Sequence, residues 1–338
     1  MNILIIGGTG FISGNLAREL YEKGHKITLL NRGKTKTELV KNEELNFIYA
    51  DRNDKHVLSD VISKNKFDVV YDMVAFSEKD TQTAVDVFKG KIGRFIHCST
   101  ISVYMLAKEV KIPVTEDQIN LPLMGTFLRS PFGWDYGINK MKCENVLWQN
   151  YDKKIFPVTM LRPTYVGGPN DPAKRDFFWI ERILDGKPLL VPGKGNFKFQ
   201  QVYVKDVVDA FCKVIETDKS IGEAYNVAGE EVFTLDNYLM KLMQLLNKKV
   251  ELYHIDMDTF DKLDFSYSNE GDVFTFNTRR DAVFSLDKIK NHLNYKSTPF
   301  EEYMQTTIDW FLKEYNGHSF GYTKRDEEIN FINSLKTN

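Results

Sequence analysis

Cysteine is scarce in this chain: Cys98, Cys143 and Cys212 are all that 338 residues contain. They lie far apart and without metal-ligand spacing, which argues against a disulfide framework and against a cysteine-built zinc site. Three semi-buried thiols in a reducing compartment fit the set. An excess of charge is also missing. The 45 basic and 47 acidic residues leave a formal net charge of -2, so no long-range field draws in nucleic acid or an anionic membrane surface. Long apolar runs are lacking too, and none approaches the ~20 residues that span a bilayer. The opening Met1-Asn2-Ile3-Leu4-Ile5-Ile6-Gly7 has no basic segment, and its apolar run is too short for a signal peptide. The expectation is a cytoplasmic protein without a membrane partner. No internal repeat, low-complexity tract or obvious linker interrupts the chain.

What is present is material for a large core. Hydrophobic residues make up 42% of the chain, and the length allows roughly two domains. Ile3 to Ile6 is a continuous apolar run closed by glycines, the pattern of a strand buried on both faces of a parallel sheet. Helical spacing follows, with Phe11, Leu16, Leu20 and Tyr21 on one side and Gly24 as the stop. Further strands are expected at 26–30, 46–50, 68–74, 94–98 and 159–162, with helices at 57–62 and 81–88 between them. That alternation means an α/β fold, a doubly wound parallel sheet with right-handed crossovers.

After Pro163 the pattern changes. A loop at 167–172 leads to a helix at 177–184, an extended piece at 188–192, a strand at 202–204 running into a helix from Asp206, a strand at 225–227 and an amphipathic helix at 235–246. These segments come too late and too irregularly to extend the first sheet simply. The expected organisation is a dinucleotide-binding domain at 1–165, joined by a strand and helix that return from about 200–230. A smaller lobe at 166–320 would close over the C-terminal edge of the sheet, where open sheets bind ligands, and a tail would follow at 321–338.

The first strand runs into Gly7-Gly8-Thr9-Gly10-Phe11-Ile12-Ser13-Gly14. Gly7 can supply a tight turn, Gly10 lets backbone approach a pyrophosphate, and the position after Ile12 must be small for the helix to pack near the strand. Serine replaces glycine there and is small enough. The N–H groups of the following helix, around Thr9, Phe11 and Ile12, would face the phosphates. A glycine cluster alone is often just a turn, but this one sits between a strand and a helix, and the next strand ends on schedule at Leu30. The cluster therefore predicts a Rossmann-type cofactor site. Asn31-Arg32-Gly33-Lys34 follows Leu30, with no acidic residue before Thr37 to grip a ribose hydroxyl. Arg32 suits a 2′-phosphate, which favours NADP over NAD, although a solvated basic loop has the same composition. Asp51, with Arg52 beside it, is placed at the adenine, and Ala75 and Phe76 at the cofactor ribose.

Tyr136 and Lys140 stand one helical turn apart on one face. A free tyrosine, with a pKa of about 10, is a poor base at neutral pH. An adjacent ammonium and an oxidised nicotinamide both favour phenolate, which can then take an alcohol proton. Such pairs also occur by chance on surface helices. The run His97-Cys98-Ser99-Thr100-Ile101-Ser102-Val103-Tyr104 adds a third element, because hydroxyls at the C-terminal end of a strand face the cofactor cleft and can hydrogen-bond the reacting oxygen.

With these motifs on the page, the chain resembles the extended short-chain dehydrogenase/reductase superfamily, the group of NAD-dependent sugar epimerases and dehydratases. The resemblance runs from Met1 to about Leu312 and rests on the glycine motif, Ser-Thr-x-Ser-Val-Tyr, Tyr-x-x-x-Lys, Leu161-Arg162-Pro163 and Val202-Tyr203-Val204-Lys205-Asp206. It implies that Thr100, Tyr136 and Lys140 are catalytic, that Lys140 also holds the nicotinamide ribose, and that Ser102 contacts substrate. It places Pro163 and Thr164 by the nicotinamide amide and a sugar or nucleotide-sugar in the second lobe. Two departures matter. Ile101-Ser102 stand where the family's 4,6-dehydratases carry an Asp-Glu pair, which argues against dehydration. Lys198-Phe199-Gln200-Gln201 stands where sugar-nucleotide epimerases carry an arginine. Gln201 is then a substrate contact, with Arg279 and Arg280 able to grip an anionic group, or simply a solvated basic pair. The resemblance further implies a homodimer through helices around 81–88 and 136–148, where Val87, Leu147 and Trp148 could lie, with ordinary core burial an equal alternative for these three. Pro131-Phe132-Gly133-Trp134-Asp135-Tyr136 resembles an atypical branch that includes relatives of chloroplast stem-loop RNA-binding proteins. Two functions therefore stand side by side: an epimerase or reductase, and a cofactor-binding, non-catalytic module acting on RNA or in regulation.

Overall fold

The computed structural model describes residues 1–34, 45–125, 131–263, 276 and 279–336. In chain order the first half contains β1 (Asn2–Ile6), α1 (Phe11–Glu22), β2 (Lys26–Asn31), β3 (Asn46–Tyr49), α2 (Lys55–Lys64), β4 (Val69–Asp72), α3 (Glu78–Phe88), β5 (Arg94–Cys98), α4 (Ser102–Met105), α5 (Pro131–Asn150) and β6 (Val158–Pro163). The second half adds β7 (Tyr165–Gly167), α6 (Arg175–Leu184), β8 (Leu189–Pro192), β9 (Lys198–Phe199), β10 (Gln201–Tyr203), α7 (Val204–Lys213), β11 (Glu223–Val227), β12 (Phe233–Thr234), α8 (Leu235–Leu245), β13 (Leu252–Ile255), α9 (Met257–Phe260), α10 (Asp287–Leu293), α11 (Phe300–Glu314) and α12 (Arg325–Lys336).

Seven strands form one sheet in the order β11-β6-β5-β4-β1-β2-β3, every pair parallel. The alternation of a strand sends its side chains to opposite faces. Ile3 and Ile5 of β1 join Tyr71, Ile96 and Leu161 on the face covered by α1 and α7. Leu4 and Ile6 join Val70, Phe95 and Val158 on the face covered by α2, α3 and α5. Both faces are buried, which is why the central strands read as unbroken apolar runs. The winding reverses between β1 and β4, so their C-terminal ends diverge into a crevice, the place where such sheets bind ligands.

The strand and helix expected to return at about 200–230 are α7 and β11: β11 lies parallel to β6, with Tyr225 opposite Leu161. The helix α7 makes this possible by crossing back over the sheet, where the Tyr71 hydroxyl donates to the Phe211 carbonyl at 2.9 Å. Val204, expected to end a strand, instead opens α7. The segment at 321–338 is no loose tail through residue 336. Its helix α12 docks on α6 through buried charges, with Arg182 Nε 3.2 Å and Arg325 3.3 Å or less from carboxylates. Of the two places open to Val87 and Leu147, a dimer interface or the core, they take the core between α3, α5 and the sheet, at 1% and 0% exposure.

The α12 contact rests on Glu328, which is 1% exposed and serves Arg182 and Arg325 together. Removing one partner of a buried ion pair costs about 3–5 kcal/mol. Glu328→Ala is therefore expected to lower the thermal unfolding midpoint by several degrees. An unchanged midpoint would show that α12 does not support the second lobe.

Candidate active site

The cofactor end is built from the turn after β1. Gly7 and Gly8 have φ of 107° and 82°, conformations that side chains rarely adopt. A Cβ on Gly8 would lie 2.6 Å from the Leu29 side chain. The chain then enters α1 at Phe11 from an extended Gly10. Ser13, the residue that replaces a glycine, accepts the Gly10 N–H at 3.0 Å, so its hydroxyl caps the helix start. The first-turn N–H groups around Phe11 and Ile12 have no intrahelical acceptor, and beside Thr9 they suit a pyrophosphate. At the end of β2, Asn31 Oδ1 accepts the Gly33 N–H at 2.8 Å, while its Nδ2 is buried with no partner. Arg32 is exposed. Asp51 is exposed at the end of β3, one oxygen accepting the Asn53 N–H at 2.9 Å. Positive-φ glycines, a capped helix start and an unsatisfied amide at the second strand end all fit a dinucleotide.

Arg52 does not belong to that set. It is 8% exposed and donates to the Asp72 carboxylate at 2.5 Å and to the Asp80 carbonyl at 2.7 Å, bracing the loop after β3 against β4 and α3. An arginine beside a strand-end aspartate looks the same in sequence whether it faces a ligand or a buried carboxylate.

The catalytic end lies where β4, β5 and β6 finish. Lys140 is 2% exposed. Its ammonium donates to the Cys98 carbonyl at 2.5 Å and the Ala75 carbonyl at 3.0 Å, and stands 3.4 Å from His97 Nε2. Burial, and the charge of Lys140, hold the His97 imidazole well below its usual range, so it is neutral and can accept. Holding a ribose as well would require the ammonium to release one contact, and the His97 contact is the weakest. One turn earlier on α5 is the half-buried Tyr136, close enough to Thr100 for that hydroxyl to act on its phenol. Thr100 is buried, donates to Ser102 Oγ at 3.2 Å and accepts the Ser102 N–H at 3.2 Å. Thr100, Ser102, Tyr136 and Lys140 thus come together as the sequence predicts. Phe76, 54% exposed, stands at their mouth, its ring 6.2 Å from Tyr136 and 5.7 Å from the Lys140 nitrogen. Burial pushes the Tyr136 phenol up to about 12, against the Thr100 hydroxyl, which pulls it down. The effect expected from Lys140 does not prevail here, because its ammonium is committed to strand-end carbonyls.

One turn beyond Lys140, the buried Glu144 accepts from Ser99 Oγ at 2.5 Å and grips Arg162 at 2.8 and 2.6 Å. Arg162 also donates to the Tyr104 hydroxyl and to the Glu116 carbonyl at 3.0 Å, and Tyr104 donates to Asn226 at 2.8 Å. This network ties α5 to the ends of β5, β6 and β11. The spacing of Glu144, four after Lys140, was the signal available for it. Pro163 is buried at the end of β6, its carbonyl accepting the Ile101 N–H at 3.2 Å. Thr164 is 8% exposed with a hydroxyl that has no partner.

Other expected substrate contacts are engaged elsewhere. Gln201 is 1% exposed and donates to Asp176 at 2.7 and 2.9 Å while accepting from Tyr303 at 3.0 Å. Burial raises Asp176 to about 6. Arg280 donates to the Ala107 carbonyl at 2.7 Å, and Arg279 pairs with Asp261 at 2.5 Å. Conversely, sequence reasoning missed Arg175, whose charge acts on the Tyr136 phenol.

A doubly wound sheet with a glycine turn on one side of the switch point and Thr/Tyr/Lys on the other defines an extended short-chain dehydrogenase/reductase. The chain belongs to the NAD dependent epimerase/dehydratase family, whose model matches residues 3–228. It is 26% identical over 333 residues to UDP-N-acetyl-alpha-D-glucosaminuronate decarboxylase of Bacillus cytotoxicus, covering 91% of this chain and 97% of that protein. It is 29% identical over 245 residues to chloroplast stem-loop binding protein of 41 kDa b of Arabidopsis thaliana, covering 69% of this chain but 60% of that protein, less than two thirds of its length. Among solved structures, UDP-glucose 4-epimerase of Thermotoga maritima superposes with a TM-score of 0.72 at 22% identity, covering 93% of this chain and 99% of that one.

A neutral, buried phenol makes a spectroscopic prediction. Without cofactor, the absorbance difference between wild type and Tyr136→Phe is expected to show no phenolate below pH ~10, the ordinary tyrosine value. Oxidised cofactor, which brings positive charge, is expected to move its onset downward, whereas reduced cofactor is not. Phenolate at neutral pH in the cofactor-free chain would contradict the burial argument.

Proposed function

We propose that this chain is an NAD(P)-dependent enzyme that transiently oxidises one hydroxyl of a nucleotide-linked sugar, as an epimerase does. The observation that carries the reading is the buried Lys140 bonded to the strand-end carbonyls of Ala75 and Cys98, with Tyr136 one turn earlier on its helix and Thr100 leaving β5, at the sheet edge that also holds the glycine turn. A bound nicotinamide supplies the hydride acceptor and returns the hydride. Tyr136, as phenolate, takes the proton of the sugar hydroxyl and gives it back when the carbonyl is reduced. Thr100 orients the phenol and offers a donor to the developing carbonyl oxygen, with Ser102 behind it. Lys140 fixes the helix that carries Tyr136. Dehydration fits poorly: Ile101 is 4% exposed and apolar, and Ser102 is bonded to Thr100, so neither supplies the carboxyl acid and base that elimination needs.

Likeness to the chloroplast protein favours a second reading, a cofactor-binding module acting on RNA. The net charge of -2 argues against it. Tyr136→Phe separates the two readings. Cofactor affinity is expected to survive while turnover of a nucleotide sugar falls about a hundredfold to ten-thousandfold. Salt-dependent RNA binding with no turnover in the wild type would favour the module instead.

Arg32 and the uncharged Asn31 at the end of β2 support a preference for NADP. Dissociation constants for the two cofactors check this. Binding of NAD tenfold tighter, a difference of about 1.4 kcal/mol, would refute the role given to Arg32.

A further inference from the structure

An ammonium has three protons to donate, and the Lys140 ammonium faces three acceptors: the carbonyls of Ala75 and Cys98 and Nε2 of His97. For Nε2 to accept, its lone pair must be free, and a neutral ring then carries its proton on Nδ1. His97 is 0% exposed in β5, so that Nδ1–H needs an acceptor in the interior. Among the described residues it has no partner.

Two more polar atoms are left over at the same place. Asp72 of β4 stands opposite His97 in the parallel register, so the two side chains leave the sheet side by side on one face. Asp72 is 0% exposed. Its Oδ1 accepts from Arg52 at 2.5 Å and from the Val74 N–H at 3.3 Å, while its Oδ2 has no partner among the described residues. Arg52, 8% exposed, gives its other terminal nitrogen to the Asp80 carbonyl at 2.7 Å, and its Nε is also buried and without a partner among them. Buried polar atoms in native folds are satisfied by protein or by ordered water. Neighbouring strands run about 4.8 Å apart, and a water joins polar tips that do not meet directly. Two donors and one acceptor suit a single internal water, which makes about three hydrogen bonds.

We propose that Arg52 Nε, Asp72 Oδ2 and His97 Nδ1 share one internal water, and that this site makes Asp72 and His97 positioning residues for Lys140. The water accepts from Arg52 and His97 and donates to Asp72. That direction of bonding fixes His97 as the Nδ1–H tautomer and turns the Nε2 lone pair to the ammonium. Burial and the cations Lys140, Arg52 and Arg162 keep the ring neutral, so the acceptor is not lost to protonation. The loop after β3, where Asp51 lies, is thereby linked through Arg52 and Asp72 to the residue that orients Lys140. The consequence for cofactor binding rests on the enzyme proposed above.

The test uses the full chain and reads the His97 ring nitrogens by NMR on isotope-labelled histidine, with the signal assigned by its loss in His97→Gln. Wild type is expected to show a neutral ring protonated at Nδ1. Asp72→Asn keeps the side-chain volume. Its amide oxygen stays with Arg52 and its amide nitrogen faces the water, which reverses the bonding and is expected to move the ring proton to Nε2. A wild-type ring protonated at Nε2 overturns the inference, and decides it alone should Asp72→Asn not fold. A ring that is unchanged in folded Asp72→Asn overturns it as well. Cofactor titration closes a double-mutant cycle. Asp72→Asn is expected to weaken cofactor binding at least about tenfold in wild type. On top of His97→Gln, whose side-chain oxygen accepts from Lys140 without a tautomer to set, it is expected to add nothing. Equal loss in both backgrounds would mean that Asp72 acts only through the fold, and the positioning role falls. If the ring proton moves while cofactor affinity stays constant, the water site stands and the cofactor role of Lys140 fails.

Discussion

A buried ammonium holds this site together. Lys140 has been taken out of water, and such a charge is tolerated only when its donors are met. The ends of β4 and β5 meet them with two carbonyls and a neutral imidazole. β4 borders the crevice where the sheet reverses and β5 lies next to it, so the contact fixes α5 at the ligand-binding edge. Everything on that face of α5 follows in steps of one turn. Tyr136, one turn earlier, reaches Thr100. Glu144, one turn later, grips Ser99 and Arg162. The helix is thereby pinned at three levels to strands that do not move independently.

The same burial sets the electrostatics. A phenol in this pocket stays protonated until positive charge arrives beside it, so its competence as a base is tied to the oxidised cofactor and not built permanently into the chain. Lys140 gives the phenol position more than it gives it charge. Arg175, at the start of α6, is a cation whose charge favours the Tyr136 phenolate.

Much of this was legible in sequence. β5 falls on the expected residues, and β1 follows from an apolar run between a short start and paired glycines. Spacing sets Tyr136 and Lys140 on one helix face and Thr100 at a strand end, and the family resemblance is what joined the three into one site. The misses share a cause: sequence shows which groups are charged and where they lie along the chain, but not what satisfies them. Arg52 and Gln201 were read as ligand contacts, yet their partners are Asp72 and Asp176, 20 and 25 residues away. Arg175 was passed over because the reach of its charge to Tyr136, 39 residues earlier, exists only in three dimensions. The motif that begins at Pro131-Phe132 falls partly outside the described side chains.

The account turns on Lys140 as the anchor of the catalytic helix, and Lys140→Met tests it, since methionine fills similar volume without donors. Amide hydrogen exchange along α5, read together with cofactor affinity, is the direct measurement. The account predicts faster exchange in the turns around Tyr136 and weaker cofactor binding, with exchange in β1 and α1 unchanged. Unaltered protection of α5 together with unaltered cofactor affinity would contradict it.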